Sequence, residues 1–334
     1  MPSLACIWRP QTFEECCGQS SIIKILKRQI ETNTFVNCYL FSGPTGCGKT
    51  TLARIFANKI NGGQGEPIEV DAASNNGVDN VRALIDEAKT RALDCEYKVI
   101  IVDEAHQITN AGWNVFLKCI EEPPKHTMFI FCTTESQKIP STIMNRLMIF
   151  NLSKIDTQQI KDRLLYICQQ ENYNNYNDAC DYISKISNGG MRDAISLLDK
   201  CVGYSTDLTI SNVLECLGDF SYDLYFDLFN SIISNDEANV IGIIEYTHNK
   251  GKDLKLLIEN FTSFVLDVFK FKTFNNFNMI KIPEIYESNL KSISINKESL
   301  SSLLDKLLEL KSMIKYDSNY KNTIEIVLLQ CVRG

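Results

Sequence analysis
The chain has 334 residues, 44% of them hydrophobic, with 34 basic against 41 acidic side chains, a net charge of -7 and a pI near 5.2. That length exceeds one typical domain and suffices for two or three packed cores. The acidic balance excludes a protein that coats nucleic acid by bulk attraction, so any DNA contact must be local.

In chain order, residues 38–41 form a short apolar, aromatic run suited to a buried strand, and Leu52, Ile55, Phe56 and Ile60 then recur at helical spacing. Between them the chain reads Gly43-Pro44-Thr45-Gly46-Cys47-Gly48-Lys49-Thr50, followed by Thr51. This fits the phosphate-loop pattern, which average residue usage produces by chance in roughly one chain of this length in a hundred. The flanking strand and helix make the match far more specific. Glycines let backbone N–H groups close around phosphates, the helix dipole adds positive potential, Lys49 neutralises the β/γ oxygens, and the Thr50 hydroxyl can ligate magnesium.

Residues 99–102 are a β-branched run of the kind found in strands covered on both faces, and they end in Asp103-Glu104. An acidic pair there is often only a helix cap, but the upstream loop changes its reading. Asp103 would hold the magnesium, directly or through water, and Glu104 would act as general base or orient the attacking water. Up to about residue 150, apolar runs alternate with helical patterns, as in a parallel sheet with crossover helices. From Ser153 the periodicity is helical only. Leu257, Phe261, Phe264, Val265 and Val268 form one apolar face, and Leu300, Leu303, Leu304 and Leu307 form another. The Asn- and Tyr-rich stretches 171–178 and 274–278 read as loops, and Pro283 marks another break.

No stretch approaches the apolar length of a membrane span, and residues 1–9 lack a secretory layout, which predicts a cytoplasmic protein without membrane contact. Thirteen scattered cysteines, none in a Cys-x-x-Cys pair, read as free thiols.

Several strings together resemble the gamma/tau subunits of bacterial DNA polymerase III clamp loaders. They are Trp8-Arg9-Pro10-Gln11-Thr12-Phe13, Gly18-Gln19, DAAS at 71–74, IEEPP at 120–124, TTESQKIPSTI at 133–143 and GGMRDAISLLD at 189–199. The match covers about 200 residues well, and residues 206–334 are similar mainly in length and helical character. The resemblance implies an ATP- and magnesium-dependent AAA+ ATPase subunit. Its parts would be an α/β phosphate-loop core with a parallel sheet (1–152), a small helical lid (153–205) and an all-α collar that joins a ring (206–334).

The resemblance also assigns roles. Thr134 matches sensor 1 and Arg192 sensor 2, both reporting on the γ-phosphate. Arg146 matches the finger that enters a neighbouring subunit's site, although its flanks, Asn145 and Leu147, differ from the family's Ser and Cys. Trp8, Arg9 and Pro10 match the segment lining the nucleotide base. Asn75, Asn76, Gly77 and Lys118 fall at DNA-facing positions, where Asn75 and Gly77 replace basic residues; a plain solvated helix face competes for Lys118. The family's four-cysteine module after the phosphate-loop helix has no counterpart in residues 61–66, so no zinc is expected.

The implied partners are a sliding clamp, primer-template DNA and other ring subunits. Leu93 and Tyr97 are either clamp contacts or buried loop anchors. The alternative reading is another AAA+ DNA motor, such as a branch-migration helicase; the DAAS, IEEPP and sensor strings, and the absence of a recognisable winged-helix pattern, argue against it. A scaffold that does not hydrolyse nucleotide is argued against by intact Lys49, Thr50, Asp103 and Glu104. The Asn, Ile, Lys and Tyr bias suits an AT-rich bacterial or bacteriophage genome.

Overall fold
The computed structural model describes residues 2–332, Asn278 by its backbone alone; Met1, Arg333 and Gly334, at the outer ends of the first and third predicted domains, lie outside the described residues. The chain packs as two compact units. One is built from residues up to 167 together with 187–199, the other from 168–186 together with 200 onward.

The first unit is organised by five strands, β1 (Cys38–Ser42), β2 (Ile68–Asp71), β3 (Lys98–Asp103), β4 (Thr127–Thr133) and β5 (Met148–Asn151). They pair in parallel in the order β2-β3-β4-β1-β5. Parallel pairing demands a crossover between successive strands. The chain supplies these as α3 (Lys49–Ile60), α4 (Val78–Lys89), α5 (Asn110–Glu121) and the short α6 (Ser141–Met144), with α1 (Leu4–Ile7) and α2 (Ser20–Thr32) preceding β1. Successive strand residues point to opposite faces. Tyr39, Phe41, Ile101, Ile130 and Phe150 therefore pack with Leu26, Phe56 and others from α2 and α3. Leu40, Ile100, Val102, Phe129 and Phe131 pack with Val81, Trp113 and Phe116 from α4 and α5. Phe116 meets Phe129 and Phe131 edge-on, both at 5.6 Å between ring centroids. Each such buried ring contributes about 1.5–3 kcal/mol through removal from water.

Register aligns the carboxyl ends of the inner strands. Ser42 pairs with Thr133, and Val102, just before Asp103, pairs with Phe131. In open parallel sheets ligands bind at such carboxyl ends, where the order of the strands switches direction.

Helices α7 (Thr157–Gln170) and α9 (Met191–Tyr204) begin in the first unit and end in the second. The second unit is otherwise helical: α8 (Asn177–Ile186), α10 (Ile210–Leu217), α11 (Tyr222–Ile233), α12 (Glu237–Asn249), α13 (Leu254–Phe274), α14 (Glu287–Ser292), α15 (Lys297–Ile314) and α16 (Tyr320–Val332). Leu257, Phe261, Phe264, Val265 and Val268 of α13 are all buried, as their spacing predicts. On α15 the buried stripe runs Leu300, Leu303, Leu307, Leu310, Ile314, whereas Leu304 is only half-buried. The predicted face was thus drawn slightly off-axis.

A second correction concerns residues 274–278. Helix α13 continues through Phe274, because Phe271 still packs inward, and stops where Asn275 takes a left-handed conformation (φ 49°). A 3-10 turn, Phe277–Met279, follows. Asn tolerates this conformation better than most residues, so the Asn-rich stretch encodes the stop rather than the whole loop.

Asp219 ties three helices of this unit together. It accepts hydrogen bonds of 2.7 Å from the hydroxyls of Tyr182 (α8) and Tyr225 (α11) and from Asn260 Nδ2 (α13). Burial, followed by this carboxylate, pushes the pKa of both tyrosines above the ordinary phenol value, so they hold their protons more tightly.

All thirteen cysteines are free. Among the described residues no helix is long and apolar enough to cross a membrane.

Candidate nucleotide site
The loop between β1 and α3 folds onto its own lysine. Lys49, 7% exposed, donates from Nζ to the carbonyls of Gly43 and Pro44, each at 2.9 Å. The glycines are required for two different reasons. A Cβ on Gly43 would lie 2.5 Å from Leu152 O, so there is no room for one. Gly48 has φ +99° with nothing within 4 Å, so the backbone angle alone demands glycine. The first N–H groups of a helix have no partner within it, so the start of α3 beside this loop is suited to meet an anion.

The amino end of α9 docks on the same loop. Met191 N–H donates to Gly46 O at 3.0 Å, and a Cβ on Gly46 would sit 3.0 Å from Gly190 Cα. Two glycine-bearing segments thus approach backbone to backbone and bring Arg192 into the cavity lined by Lys49, Thr50, Asp103 and Glu104. Trp8, Arg9 and Pro10 line the same cavity. The Arg9 guanidinium holds its proton less tightly than usual, first because it is partly buried and then because Arg54 and Arg192 repel it. Cations gathered against their mutual repulsion suit an anionic ligand. Arg163 Nη2 donates to Trp8 O at 3.2 Å, and its guanidinium lies 5.8 Å from the Trp8 ring and 5.4 Å from that of Tyr166. The sequence gives no sign of Arg163, which lies 155 residues from its partner.

At the end of β3, the Thr50 hydroxyl donates to Asp103 Oδ2 at 2.8 Å, and Glu104 N–H donates to Asp103 Oδ1 at 2.9 Å. A hydroxyl and a carboxylate brought together beside a phosphate loop form an oxygen donor set suited to magnesium, which prefers one or two carboxylates plus substrate phosphates. Glu104 itself has φ 47°, a left-handed conformation that costs a non-glycine residue about 1–2 kcal/mol and is common where function over-determines the backbone. Its Oε2 accepts from the Thr134 hydroxyl at 3.3 Å, so Thr134, just past β4, engages the acidic pair across the sheet. His106, which sequence reasoning missed, is buried between Glu104 and Glu135.

Other predicted residues lie apart from this cluster. Arg146 is exposed and pairs with Glu121 Oε1 at 2.6 Å, away from its own chain's cavity. Asn75 and Asn76 are exposed at the start of α4, whose N-cap is Gly77. Asn76 O accepts from both N–H and hydroxyl of Thr109, the N-cap of α5, each at 3.3 Å, so the amino ends of α4 and α5 are fastened side by side. Lys118 is exposed in the last turn of α5, about 12 Å along the axis from that pair of helix starts. It is therefore not grouped with Asn75, Asn76 and Gly77. Leu93 is fully exposed, at 104%, which removes the buried-anchor reading for it. Tyr97 packs against Phe35 at 5.7 Å and fits that reading.

Three family models match consecutive parts of the chain. They describe the DNA polymerase III delta subunit (residues 66–156), the DNA polymerase III clamp loader subunit ATPase lid domain (159–207) and domain III of DNA polymerase III subunits gamma and tau (208–333). DNA polymerase III subunit tau of Bacillus subtilis is 32% identical over 97% of this chain and 62% of its own length. DNA polymerase III subunit gamma of Buchnera aphidicola is 28% identical over 98% of this chain and 97% of its own. The chain belongs to the gamma/tau subunits of the DNA polymerase III clamp loader. It spans 62% of the Bacillus subtilis relative and 54% of the gamma/tau subunit of Mycoplasma genitalium.

Among solved structures, the Thermotoga maritima RuvB Holliday junction branch migration motor superposes with a TM-score of 0.54 at 20% identity, over 67% of this chain and 79% of that one. At that identity the likeness establishes fold alone. This gamma/tau-family chain has an AAA+ core with a five-stranded parallel sheet, an ATPase lid and an all-α carboxyl-terminal region.

Proposed function
We propose that this gamma/tau-family subunit binds and hydrolyses ATP within a ring of clamp loader subunits, and that the ring opens a sliding clamp and places it on primer-template DNA. The observation that carries this reading is the convergence of Lys49, the Thr50–Asp103 pair, the Glu104–Thr134 pair and Arg192 on one phosphate loop.

Within the site, backbone N–H groups of residues 43–51 and Lys49 hold the phosphates, and Trp8, Arg9 and Pro10 enclose the base. Thr50 and Asp103 are the residues that would hold a magnesium ion, which would supply charge neutralisation at the phosphate oxygens. Glu104 orients the attacking water and takes its proton, since phosphoryl transfer depends mainly on positioning and charge neutralisation. Thr134 and Arg192 make that geometry depend on the terminal phosphate. Arg146 completes the neighbouring subunit's site. Its exposed pairing with Glu121 favours this role, because exposed ion pairs are worth about 0–1 kcal/mol and are easily exchanged for a phosphate.

The subunit divides into core (1–152), lid (153–205) and collar (206–334), the last joining the ring. Exposed helix starts around Asn75, Asn76 and Gly77, with Lys118 further along α5, meet the DNA backbone. Few of these contacts are charged, so DNA binding should weaken only shallowly with salt. Leu93, free of packing, suits the clamp face. The protein works in the cytoplasm of a bacterial or phage-infected cell, with no zinc.

The test is steady-state ATPase of the assembled ring. Turnover should rise with cognate clamp plus primed DNA but not with unprimed duplex. Arg146→Ala should keep nucleotide binding and lose roughly 10³-fold or more of the stimulated rate. Equal stimulation by unprimed duplex would favour a motor that tracks along DNA, and normal stimulated turnover in the variant would remove the finger assignment.

A further inference from the structure
The imidazole of His106, 6% exposed, is set between two carboxylates. Nδ1 lies 3.3 Å from Glu104 Oε2 and 3.2 Å from Thr133 Oγ1. Nε2 lies 3.1 Å from Gln107 Nε2 and 3.4 Å from Glu135 Oε1. A neutral imidazole has one donor and one acceptor nitrogen, and an amide nitrogen only donates. This pairing favours the tautomer in which Nε2 accepts from Gln107 and the ring proton lies on Nδ1, facing Glu104 Oε2. Glu135 does not depend on the ring, since Lys138 Nζ donates to its Oε1 at 2.8 Å. The Thr134 hydroxyl donates to the same oxygen of Glu104, at 3.3 Å. Two donors on Oε2 fix the carboxylate plane and leave Oε1 for a further partner.

We infer that His106 is a positioning residue for ATP hydrolysis: its Nδ1–H clamps Oε2 of Glu104, aims Oε1 at the attacking water, and ties that aim to the end of β4. The inference rests on the reading of Glu104 proposed above. Because the ring is buried and touches Thr133, a shift of the segment bearing Thr134 moves the clamp with it. Displacing a reacting carboxylate by about 1 Å can cost on the order of 100-fold in rate.

Two experiments test this on the full chain. In the assembled ring, His106→Ala should lower kcat roughly 10- to 100-fold while KM and nucleotide affinity stay within about 3-fold. His106→Asn, whose amide nitrogen falls near the place of Nδ1, should retain most of the rate, and His106→Gln, which reaches toward the place of Nε2, should not. Wild-type rates in all three variants, or equal losses in the Asn and Gln forms, overturn the inference. Independently of activity, 15N-histidine NMR above the ordinary imidazole range should show one of the three histidines as the Nδ1–H tautomer, its signal absent in His106→Asn. An Nε2–H tautomer at His106 also overturns it. A wild-type ring without ATP turnover would instead sink the functional reading and leave the tautomer result standing.

Discussion

Replacing Lys49 with methionine separates the two things its ammonium does. This cation is nearly buried, and its hydrogen bonds among the described residues go to two neutral carbonyls. Removing a charge from water costs several kcal/mol after relaxation, and two charge-assisted hydrogen bonds return about 3–6 kcal/mol. The terms nearly cancel. Methionine keeps the length and the packing, and the carbonyls of half-exposed Gly43 and Pro44 can turn to water.

Lys49→Met should therefore change the stability of the nucleotide-free protein by about 1 kcal/mol or less, roughly 2–4 °C in Tm. With ATP and magnesium at 100 times Kd, the wild type should gain about 2.7 kcal/mol, or roughly 5–10 °C, and the variant almost nothing. Thermal melts with and without ligand give both numbers. The reasoning fails if the empty variant melts more than about 6 °C low, which would make Lys49 a structural cation, or if both proteins gain equally from nucleotide.

Two further outcomes concern stability. Trp113 is 1% exposed and its indole N–H has no hydrogen-bond partner among the described residues, an omission worth about 1–3 kcal/mol. Trp113→Phe should cost under about 1 kcal/mol in denaturant titration, against 3–5 kcal/mol for Trp113→Ala, and similar losses for both would contradict the unsatisfied donor. Burial lifts the Asp267 carboxyl above the ordinary range, partly offset by the Lys281 N–H at 2.7 Å and by Lys270. A carboxyl whose folded value is raised contributes stability below its unfolded value that is lost as pH rises through the folded one. The Tm of Asp267→Asn relative to wild type should therefore climb as pH goes from about 4 to neutrality, and a flat or falling difference would show the carboxylate to be well satisfied.

The parts legible in the sequence were those where burial is uniform or a motif is rigidly spaced. Residues of β1, β3 and β4 are covered on both faces, so apolar runs announce them, and the phosphate loop is fixed by glycine geometry. Strands β2 and β5 were not singled out because they are four-residue edges with exposed positions between the inward ones. Their place was decided by pairing with β3 and β1, which local pattern does not encode. His106 was missed for a related reason. Its neighbours Thr133 and Glu135 come from β4 and the turn beyond it, joined to Glu104 only through the sheet. Arg146 was legible as a residue, but its resting partner Glu121 was not, because that pairing bridges the ends of two helices.

The cysteines turn this protein into its own opening gauge. Cys38, Cys47 and Cys132 are buried about the sheet, and Cys168, Cys180 and Cys201 among the helices of the second unit. Burial lifts the Cys38 and Cys201 thiols to about 12 and the Cys132 thiol well above its ordinary value, which suppresses the thiolate that an alkylating reagent needs. Labelling at each of these positions must then await local unfolding. A mass-resolved time course, with exposed Cys6 as internal clock, would read the opening of the two units separately without adding a single probe.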